Sequence, residues 1–239
     1  MPYYSVHALL DLSARPVIAH RGASADAPEN TLAAFELAVR QGADALELDL
    51  RLSRDGVPVA LHDPTLDRTT PLRGPVAAFT MVELEAAGVP SLADVLAAFP
   101  RTPLLLDVKD AAAQTAVRDV LLARGAAARC VVAAEETCAL GAFRGAPFVT
   151  GACGEDIARL YWSSALRRPP ATVGYGLLSV PLRHRGLPVP TRWFVAAARR
   201  LGCPVHVWTV DAPALARRLW SRGVAGIVTN VPAAIRAAR

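Results

Sequence analysis

Residues 46–62 read Leu-Glu-Leu-Asp-Leu-Arg-Leu-Ser-Arg-Asp-Gly-Val-Pro-Val-Ala-Leu-His. Leucine alternates with a charged residue over the first seven positions, and successive side chains of a strand point to opposite faces of a sheet. The pattern predicts a strand with one face of leucines and one polar face that carries Glu47 and Asp49. Asp-Gly is a strong signal for a two-residue hairpin turn, so we expect the chain to reverse at Asp55-Gly56 and return toward His62.

The same stretch predicts a register for this hairpin. Counting outward from the turn pairs Leu52 with Val59 and Asp49 with His62. This register would place six apolar side chains on one face, namely Leu48, Leu50, Leu52, Val57, Val59 and Leu61, and four polar ones on the other, namely Glu47, Asp49, Arg51 and His62. Cross-strand neighbours lie about 4.5–5.5 Å apart at Cβ. The sequence therefore predicts a carboxylate and an imidazole side by side on a polar face.

Short apolar runs alternate with helical patterns along the rest of the chain. The predicted strands are 16–20, 44–50, 103–109, 129–134, 147–152, 174–181, 204–210 and 226–229. The predicted helices are 30–41, 91–99, 111–124, 136–143, 155–167, 191–201 and 212–222, with a last one after Pro232. Thr31, Ser91 and Thr191 are typical helix starts, and Gly42, Gly125 and Gly202 stand where C-terminal caps are expected.

Eight strands alternating with eight helices favour parallel βα units closed into a (β/α)₈ TIM barrel. We expect one domain over 1–239, with the hairpin as an extension after the second strand. A doubly wound open sheet is the alternative, and it usually shows a glycine-rich phosphate loop after its first strand. His20-Arg21-Gly22 follows the first strand here and is no such loop. Because barrel active sites lie at the carboxyl ends of the strands, we expect the site there.

The composition of the chain argues against some classes of binding partner. The chain has 239 residues, 53% of them apolar, and a net charge of +5. Its basic residues are scattered, which argues against nucleic acid, and no apolar run reaches the roughly 18 residues of a spanning helix, so we expect no stable membrane insertion. Residues 1–16 do not resemble a secretory signal, and four cysteines without CxxC spacing indicate buried thiols. These features predict a cytoplasmic protein, whereas the oligomeric state is left open.

Three acidic residues are candidate metal ligands. On a barrel strand the leucines would face the outer helices and Glu47 and Asp49 the interior, where two carboxylates repel unless a cation neutralises them. Asp107 ends another apolar run and offers a third carboxylate. Such oxygen ligands suit Mg²⁺ or Ca²⁺. The alternatives are a solvated edge strand for Glu47 and Asp49, and a plain ion pair of Asp107 with Lys109, the one lysine among 26 basic residues.

Two histidines are candidate acid–base groups. His20 ends the first strand and is followed by Arg21, so an imidazole for proton transfer stands next to a guanidinium that can clamp a phosphoryl group. A lone histidine there would more often be structural, and His62 is what favours the functional reading. His206 is expected to be a hydrogen-bonded core residue, while Trp208 is expected either to wall a pocket or to pack in the core.

Four other residues are weaker candidates. His7 lies in the N-terminal tail, and His184 is assigned to a surface loop. Tyr161 and Trp162 fit an ordinary amphipathic helix better than a lid or a lipid-facing edge.

Together these positions resemble the glycerophosphodiester phosphodiesterase family, in order from about residue 16 to 230. The matching segments are His20-Arg21-Gly22, Pro28-Glu29-Asn30-Thr31, Glu47-Leu48-Asp49, His62-Asp63-Pro64-Thr65-Leu66-Asp67-Arg68-Thr69-Thr70, Pro90-Ser91-Leu92, Asp107-Val108-Lys109, Val207-Trp208-Thr209-Val210 and Gly226-Ile227-Val228-Thr229. The resemblance implies a barrel hydrolase that converts a small-molecule phosphodiester into glycerol 3-phosphate and an alcohol. It implies that His20 and His62 are the acid/base pair, that Glu47 and Asp49 bind metal, and that Arg21 and Lys109 contact phosphate. Trp208 would line the glycerol side.

This sequence departs from the family pattern at three points. Asp107 stands where the family usually has glutamate, Ala225 and Asn230 stand where it usually has acids, and the segment between His62 and Ser91 is short. Spider-venom-type phospholipase D enzymes look similar at Asp107, so headgroup cleavage or cyclisation of lysolipids or sphingolipids is the main alternative. A non-catalytic barrel that binds phosphoesters or lipid surfaces, and an unrelated metal-dependent barrel hydrolase or isomerase, are further alternatives.

Overall fold

Eight parallel strands close into a ring in the part of the chain that the computed structural model describes, residues 8–145 and 147–239. In chain order the strands are β1 (Val17–His20), β2 (Ala45–Leu52), β3 (Pro58–Ala60), β4 (Leu104–Val108), β5 (Cys130–Ala133), β6 (Val149–Thr150), β7 (Leu178–Pro181), β8 (Arg183–His184), β9 (Leu187–Pro188), β10 (Val205–Trp208) and β11 (Gly226–Thr229). The sheet runs β6-β5-β4-β2-β1-β11-β10-β7. A parallel bridge between Gly151 and Leu177 then joins its two ends.

Helices surround this ring. They are α1 (Leu32–Arg40), α2 (Met81–Ala86), α3 (Leu92–Ala98), α4 (Gln114–Ala123), α5 (Gly154–Ala165), α6 (Arg192–Arg200), α7 (Pro213–Trp220) and α8 (Pro232–Arg236). Thr31, Ser91 and Thr191 cap α1, α3 and α6 as predicted, each with its side-chain oxygen accepting a backbone N–H of the first turn. The (β/α)₈ barrel is confirmed. The predicted single-domain range of 1–239 stays a prediction, because residues 1–7, with His7, and residue 146 lie outside the described residues.

Two apolar layers hold the barrel together. Between sheet and helices, Leu46, Leu48 and Leu50 of β2 pack with Phe35 of α1, so the leucines of the alternating stretch face outward as predicted. Inside the ring lies a second layer made of Leu9, Ile18, Ala45, Leu105, Val131, Leu177 and Val228. The interior is therefore filled by side chains below the carboxyl ends of the strands.

His206 belongs to this inner region. It is fully buried, and its Nε2 lies 2.8 Å from the carbonyl oxygen of Leu9, which confirms the prediction of a hydrogen-bonded core histidine. The contact fastens the segment before β1 to the barrel interior.

The hairpin after β2 exists, but the predicted register is wrong by one residue. Leu50 pairs with Ala60, Arg51 with Val59 and Leu52 with Pro58. Ser53 N donates to the carbonyl of Val57 at 3.0 Å, so the loop holds three residues, 54–56, and not two.

The one-residue shift moves Val59 and Leu61 to the opposite face from Leu50. There they join Leu66, Val76, Leu84 and Val89 in a small separate core. Helix α2, which the sequence analysis missed, supplies Leu84 to this core. Because the segment after the hairpin covers this face, β3 is buried on both sides and its apolar residues do not distinguish the two registers.

The helix predicted over 136–143 is a 3₁₀ segment, Thr137–Phe143. In an α-helix the N–H of Ala142 would donate to the carbonyl of Cys138. Here the side chain of Gln114 lies between these groups, because Ala142 N donates to its Oε1 at 2.8 Å and its Nε2 donates to Cys138 O at 3.1 Å. The side chain of α4 thus takes the place of the α-helical hydrogen bond.

All four cysteines are free thiols, and Cys130, Cys153 and Cys203 are buried as predicted. Cys138 is exposed, which corrects the expectation for that residue. Among the helices of residues 8–145 and 147–239, none has the length and apolar composition needed to cross a membrane.

Gly226 of β11 provides a test of the packing around His206. The two residues are partners in the β10–β11 pairing, and a Cβ atom on Gly226 would collide with the imidazole ring. We expect Gly226→Ala to lower the free energy of unfolding by about 1–3 kcal/mol, the usual cost of overpacking. Urea denaturation followed by circular dichroism measures this change.

The matched background is His206→Ala, which removes the ring. There the same glycine substitution should cost at least ~1 kcal/mol less, because contacting residues show interaction energies of this size. Strictly additive costs in the double variant would contradict the proposed collision.

Candidate active site

Three carboxylates meet at the carboxyl ends of β2 and β4. Asp49 and Asp107 are direct partners in the parallel pairing of these strands, and Glu47 lies two residues before Asp49 on the same face. Each of the three offers one oxygen within 4.8 Å of the others. The shorter side chain of Asp107 therefore still reaches the other two acids.

Two cations lie against this group. Lys109 Nζ is 2.5 Å from Asp107 Oδ2 and 3.0 Å from Asp49 Oδ1. Arg21 Nε lies 3.0 Å from the other oxygen of Asp49. The compact ammonium of the one lysine fits between two carboxylates, where a planar guanidinium would be less suited.

Glu47 has no such ion pair among the contacts of the described residues. Its Oε2 accepts the backbone N–H of Arg21 at 3.0 Å, and its side chain is buried. Burial, and then the negative charges of Asp49 and Asp107, raise the pKa of Glu47 well above its usual value. Glu47 is thus the carboxylate whose charge is least compensated.

The other two acids differ from each other. Burial would raise the pKa of Asp49, but Lys109, Arg21 and a hydrogen bond from Asn30 outweigh it, so the pKa lies below its usual value. Burial dominates at Asp107 and raises its pKa despite the contact with Lys109. A charged Asp49 between two carboxyls of raised pKa is an arrangement that a bound cation would stabilise.

The donor set fits a hard divalent cation. Carboxylate oxygens are the ligands that Mg²⁺ and Ca²⁺ prefer, with water and substrate oxygens completing the shell. The burial of Glu47 without an ion pair among the described residues also favours a cation, because an uncompensated buried carboxylate is costly. We therefore identify Glu47, Asp49 and Asp107 as a candidate metal site.

His20 lies at the end of β1 with one ring nitrogen engaged. Its Nδ1 is 2.8 Å from Asn230 Oδ1. The amide nitrogen of Asn230 donates to Asp211 at 2.8 Å, which turns the amide oxygen toward His20. Nδ1 of His20 is therefore the proton donor, and Nε2 carries the lone pair. Burial lowers the pKa of His20 more than the bond to Asn230 raises it, so the ring is biased toward the neutral form.

His62 has a different partner. Its Nδ1 lies 2.7 Å from Asp63 Oδ1, so the Nδ1–H of this ring donates to a carboxylate. Arg51 Nε donates to the carbonyl of His62 at 2.8 Å and fixes the backbone there. Although Asp49 pairs with Leu61 and not with His62, both Asp49 and His62 line the same cavity.

A chain of ion pairs links the surroundings of the two histidines. Asp63 binds Arg68 Nε at 2.6 Å, Arg68 binds Glu29 at 2.7 Å, and Glu29 binds Arg21 at 3.0 Å. Arg68 holds the pKa of Asp63 well below its usual range and lowers that of Glu29. The loop after β3 is thereby fastened to the loop after β1.

All eight site residues predicted from the sequence line one cavity of about 600 Å³. They are His20, Arg21, Glu47, Asp49, His62, Asp107, Lys109 and Trp208. Trp208 is 41% exposed, so of the two expectations for this residue the pocket wall is the one found.

Several residues of this site have no role predicted from the sequence. Asn30 holds Asp49, and Asn230 holds His20. In the sequence, Asn30 belongs to the Pro28-Glu29-Asn30-Thr31 motif, and Asn230 is a departure from the family pattern. His184 was assigned to a surface loop, but it belongs to the β8–β9 hairpin and lines the cavity. Ala225 is buried before β11, and nothing in the structure explains its departure from the acid usual in the family.

Known proteins resemble this chain in sequence and in fold. The model of the glycerophosphoryl diester phosphodiesterase family matches residues 20–124 and 162–234. YhdW of Bacillus subtilis, named as a candidate glycerophosphodiester phosphodiesterase, is 32% identical over 90% of this chain and 94% of its own.

Solved structures of related proteins have a similar fold. The crystal structure of a glycerophosphodiester phosphodiesterase from Agrobacterium tumefaciens has a TM-score of 0.74 at 27% identity and covers 93% of this chain and 99% of that one. An Oleispira antarctica phosphodiesterase solved with its product sn-glycerol-3-phosphate has a TM-score of 0.74 over 93% of this chain and 96% of its own; at 24% identity it supports the fold alone. The chain belongs to the glycerophosphoryl diester phosphodiesterase family and is an enzyme of the phosphoric diester hydrolase class.

Proposed function

We propose that the protein hydrolyses glycerophosphodiesters to glycerol 3-phosphate and an alcohol, with a divalent cation and with His20 and His62 as the base and the acid. The observation that carries this proposal is the opposite environment of the two imidazoles beside three carboxylates. One ring donates to an amide oxygen and is biased toward the neutral form, while the other donates to a carboxylate.

The two rings suit complementary proton transfers. His20 presents the lone pair of Nε2 and can remove the proton of the attacking oxygen, which is water or the 2-hydroxyl of the substrate. Attack by water gives glycerol 3-phosphate directly, whereas attack by the 2-hydroxyl releases the alcohol and leaves a cyclic phosphate that water then opens. His62 can deliver an Nε2 proton to the leaving alkoxide, and Asp63 holds the ring in position by accepting a hydrogen bond from Nδ1. Each such transfer contributes on the order of 10²–10⁴ in rate.

The positive charges in the active-site cavity are placed to bind a phosphoryl group. Arg21 and Lys109 lie on either side of Asp49 and line the cavity, where they can stabilise negative charge on the non-bridging oxygens. A cation held by Glu47, Asp49 and Asp107, either Mg²⁺ or Ca²⁺, would add Lewis-acid polarisation of a phosphoryl oxygen. Asn30 positions Asp49 through a 3.0 Å hydrogen bond.

We also infer a cytoplasmic location and a small-molecule partner with no nucleic acid. The free thiols and the scattered basic residues support this inference.

Substitution of either histidine tests the proton transfers. We expect His20→Ala and His62→Ala each to lower kcat for glycerophosphocholine by about 10²–10⁴, measured by release of choline. Both variants should keep the thermal unfolding midpoint within a few degrees, because neither ring belongs to the apolar core. A wild-type rate in either folded variant would rule out the two-histidine scheme.

Removal of the cation tests the carboxylate group. EDTA should abolish turnover, and Mg²⁺ or Ca²⁺ should restore it. We expect Glu47→Gln to raise the metal concentration for half-maximal activity by at least about tenfold. Added metal should also raise the unfolding midpoint of the wild type, because a ligand that binds the folded state stabilises it, and this rise should shrink in the variant.

Asp44→Asn is the matched control for Glu47→Gln. Asp44 immediately precedes β2 at the opposite end of the barrel, where it pairs with Arg236 and Arg239. This variant should keep the metal response of the wild type. An EDTA-resistant wild type, or equal metal responses in the Glu47 and Asp44 variants, would contradict the assignment.

The pH profile tests the assignment of His20 as the base. A base must be neutral, so kcat/KM should fall as the pH drops through the pKa of His20. Because burial lowers this pKa from the ordinary 6.5, the acidic limb should lie below pH 6.5. Asn230→Leu removes the hydrogen bond that raises the pKa, so the limb should move further down while the alkaline limb stays in place. An acidic limb that moves upward in this variant would refute the assignment.

A further inference from the structure

We propose that one wall of the active-site cavity binds a hydrocarbon chain carried by an ester arm of the substrate. This proposal rests on the proposed function, because it names the class of diester that the same site accepts. The wall, called the apolar wall below, consists of Ile157, Tyr161, Trp162, Leu187, Val189 and Trp208.

The cavity has two chemically different sides. The charged side comes from the ends of β1, β2 and β4 and from the loop after β3, which carries His62. The apolar wall comes from α5, from β9 and the residue that follows it, and from the end of β10. Both sides line one space of about 600 Å³, within the roughly 300–1,000 Å³ of sites for drug-sized ligands. A phosphodiester held at the charged side would extend one arm along the wall.

Large apolar side chains of the wall are open to solvent. Trp162 is 57% exposed, Leu187 47% and Trp208 41%. Grouped exposure of this kind is uncommon on a soluble protein away from binding sites. A hydrocarbon chain that covered these side chains would remove apolar surface from water on both partners, and this favours binding.

The wall is held in place by its own contacts. The ring of Tyr161 packs edge-on against Trp162, with centroids 5.2 Å apart, and against Trp193 at 4.7 Å. The hydroxyl of Tyr161 donates to the carbonyl of Pro188 at 3.2 Å and so ties the β8–β9 hairpin to α5. Because the surface is formed before a ligand arrives, little ordering is needed on binding.

Aromatic rings in a pocket can also bind a quaternary ammonium such as choline. The aliphatic part of the wall favours a neutral chain. Ile157, Leu187 and Val189 offer a cation no electrostatic attraction. Arg185 and Glu135 also line the cavity, but both are exposed and their charges are opposite, so together they do not favour a cation.

The family match covers the two sides of the cavity unequally. It includes every charged residue of the candidate site and four of the six wall residues, but it omits residues 125–161, which supply Ile157 and Tyr161. Two of the six wall residues thus lie in a segment that the family model does not match.

The first experiment measures kcat/KM for two substrate series below their critical micelle concentrations. Glycerophospho-alkanols from ethyl to octyl carry the chain on the alcohol arm, and lysophosphatidylcholines from hexanoyl to decanoyl carry it on the glycerol arm. A fully buried methylene contributes about fourfold. We expect at least a tenfold rise along one series, and that series identifies the arm that the wall holds. Flat profiles in both would overturn the proposal.

A second comparison separates hydrocarbon from ammonium recognition. Glycerophospho-3,3-dimethylbutanol has the shape of glycerophosphocholine but carries no charge. The proposal predicts that kcat/KM for the neutral ester equals or exceeds that for the choline ester. A preference of more than about tenfold for choline would show that the wall is a cation site and would refute the proposal.

Leu187→Ser tests the wall itself. We expect the ratio of kcat/KM for the longest and the shortest ester of the responsive series to fall about fivefold or more. Leu166→Ser is the matched control, because Leu166 is 73% exposed but does not line the cavity, and its ratio should stay at the wild-type value. Equal ratios in both variants would overturn the assignment of Leu187 to the wall.

Calorimetry with ethyl and octyl phosphate in the presence of Mg²⁺ gives a readout independent of turnover. Octyl phosphate should bind at least tenfold more tightly to the wild type, with a smaller difference in Leu187→Ser. Chain-dependent binding without hydrolysis of any diester would support the wall but refute the proposed function. Metal-dependent hydrolysis of a diester without any dependence on chain length would support the proposed function but refute the apolar wall.

Discussion

The active site depends on the burial of three like charges at one end of a parallel sheet. Asp49 and Asp107 are register partners on adjacent strands, and Glu47 shares their face, so the barrel itself forces the carboxylates together. Buried carboxylates are costly unless cations or hydrogen bonds compensate them. Lys109, Arg21 and Asn30 all converge on Asp49, while Glu47 receives one backbone N–H. The residual negative charge is what makes these three carboxylates a candidate site for a divalent cation.

This charge cluster also determines how the loops around it are arranged. Arg21 contacts Asp49 and Glu29, Glu29 contacts Arg68, and Arg68 contacts Asp63, which holds His62. The carboxylates inside the barrel and the imidazole on the loop after β3 therefore belong to one network. Because each member holds the next in a defined position, the loops present their side chains without large reorganisation, which is the condition for electrostatic catalysis.

The sequence allows prediction of features set by local periodicity and of residues with distinctive chemistry. Alternation along β2 gave the correct face for every leucine and acid, and the caps of three helices were recognisable. The hairpin register failed because residues 57–61, Val-Pro-Val-Ala-Leu, are apolar at every position, so that either register buries apolar groups. The bond between His20 and Asn230 joins residues 210 positions apart, and only the closed barrel brings such residues together.

Closure of the barrel also explains how opposite chemistries meet in one cavity. The acids stand on β2 and β4, whose backbones are fixed by neighbours on both sides, and this rigidity keeps like charges at a constant separation. The apolar wall stands mostly on α5 and the β8–β9 hairpin, which lie outside the ring and are joined through Tyr161 and Pro188. Changes in these outer elements alter the surface that faces an ester arm without moving the carboxylates. A barrel of this construction can keep one reaction and still change the diester that it accepts.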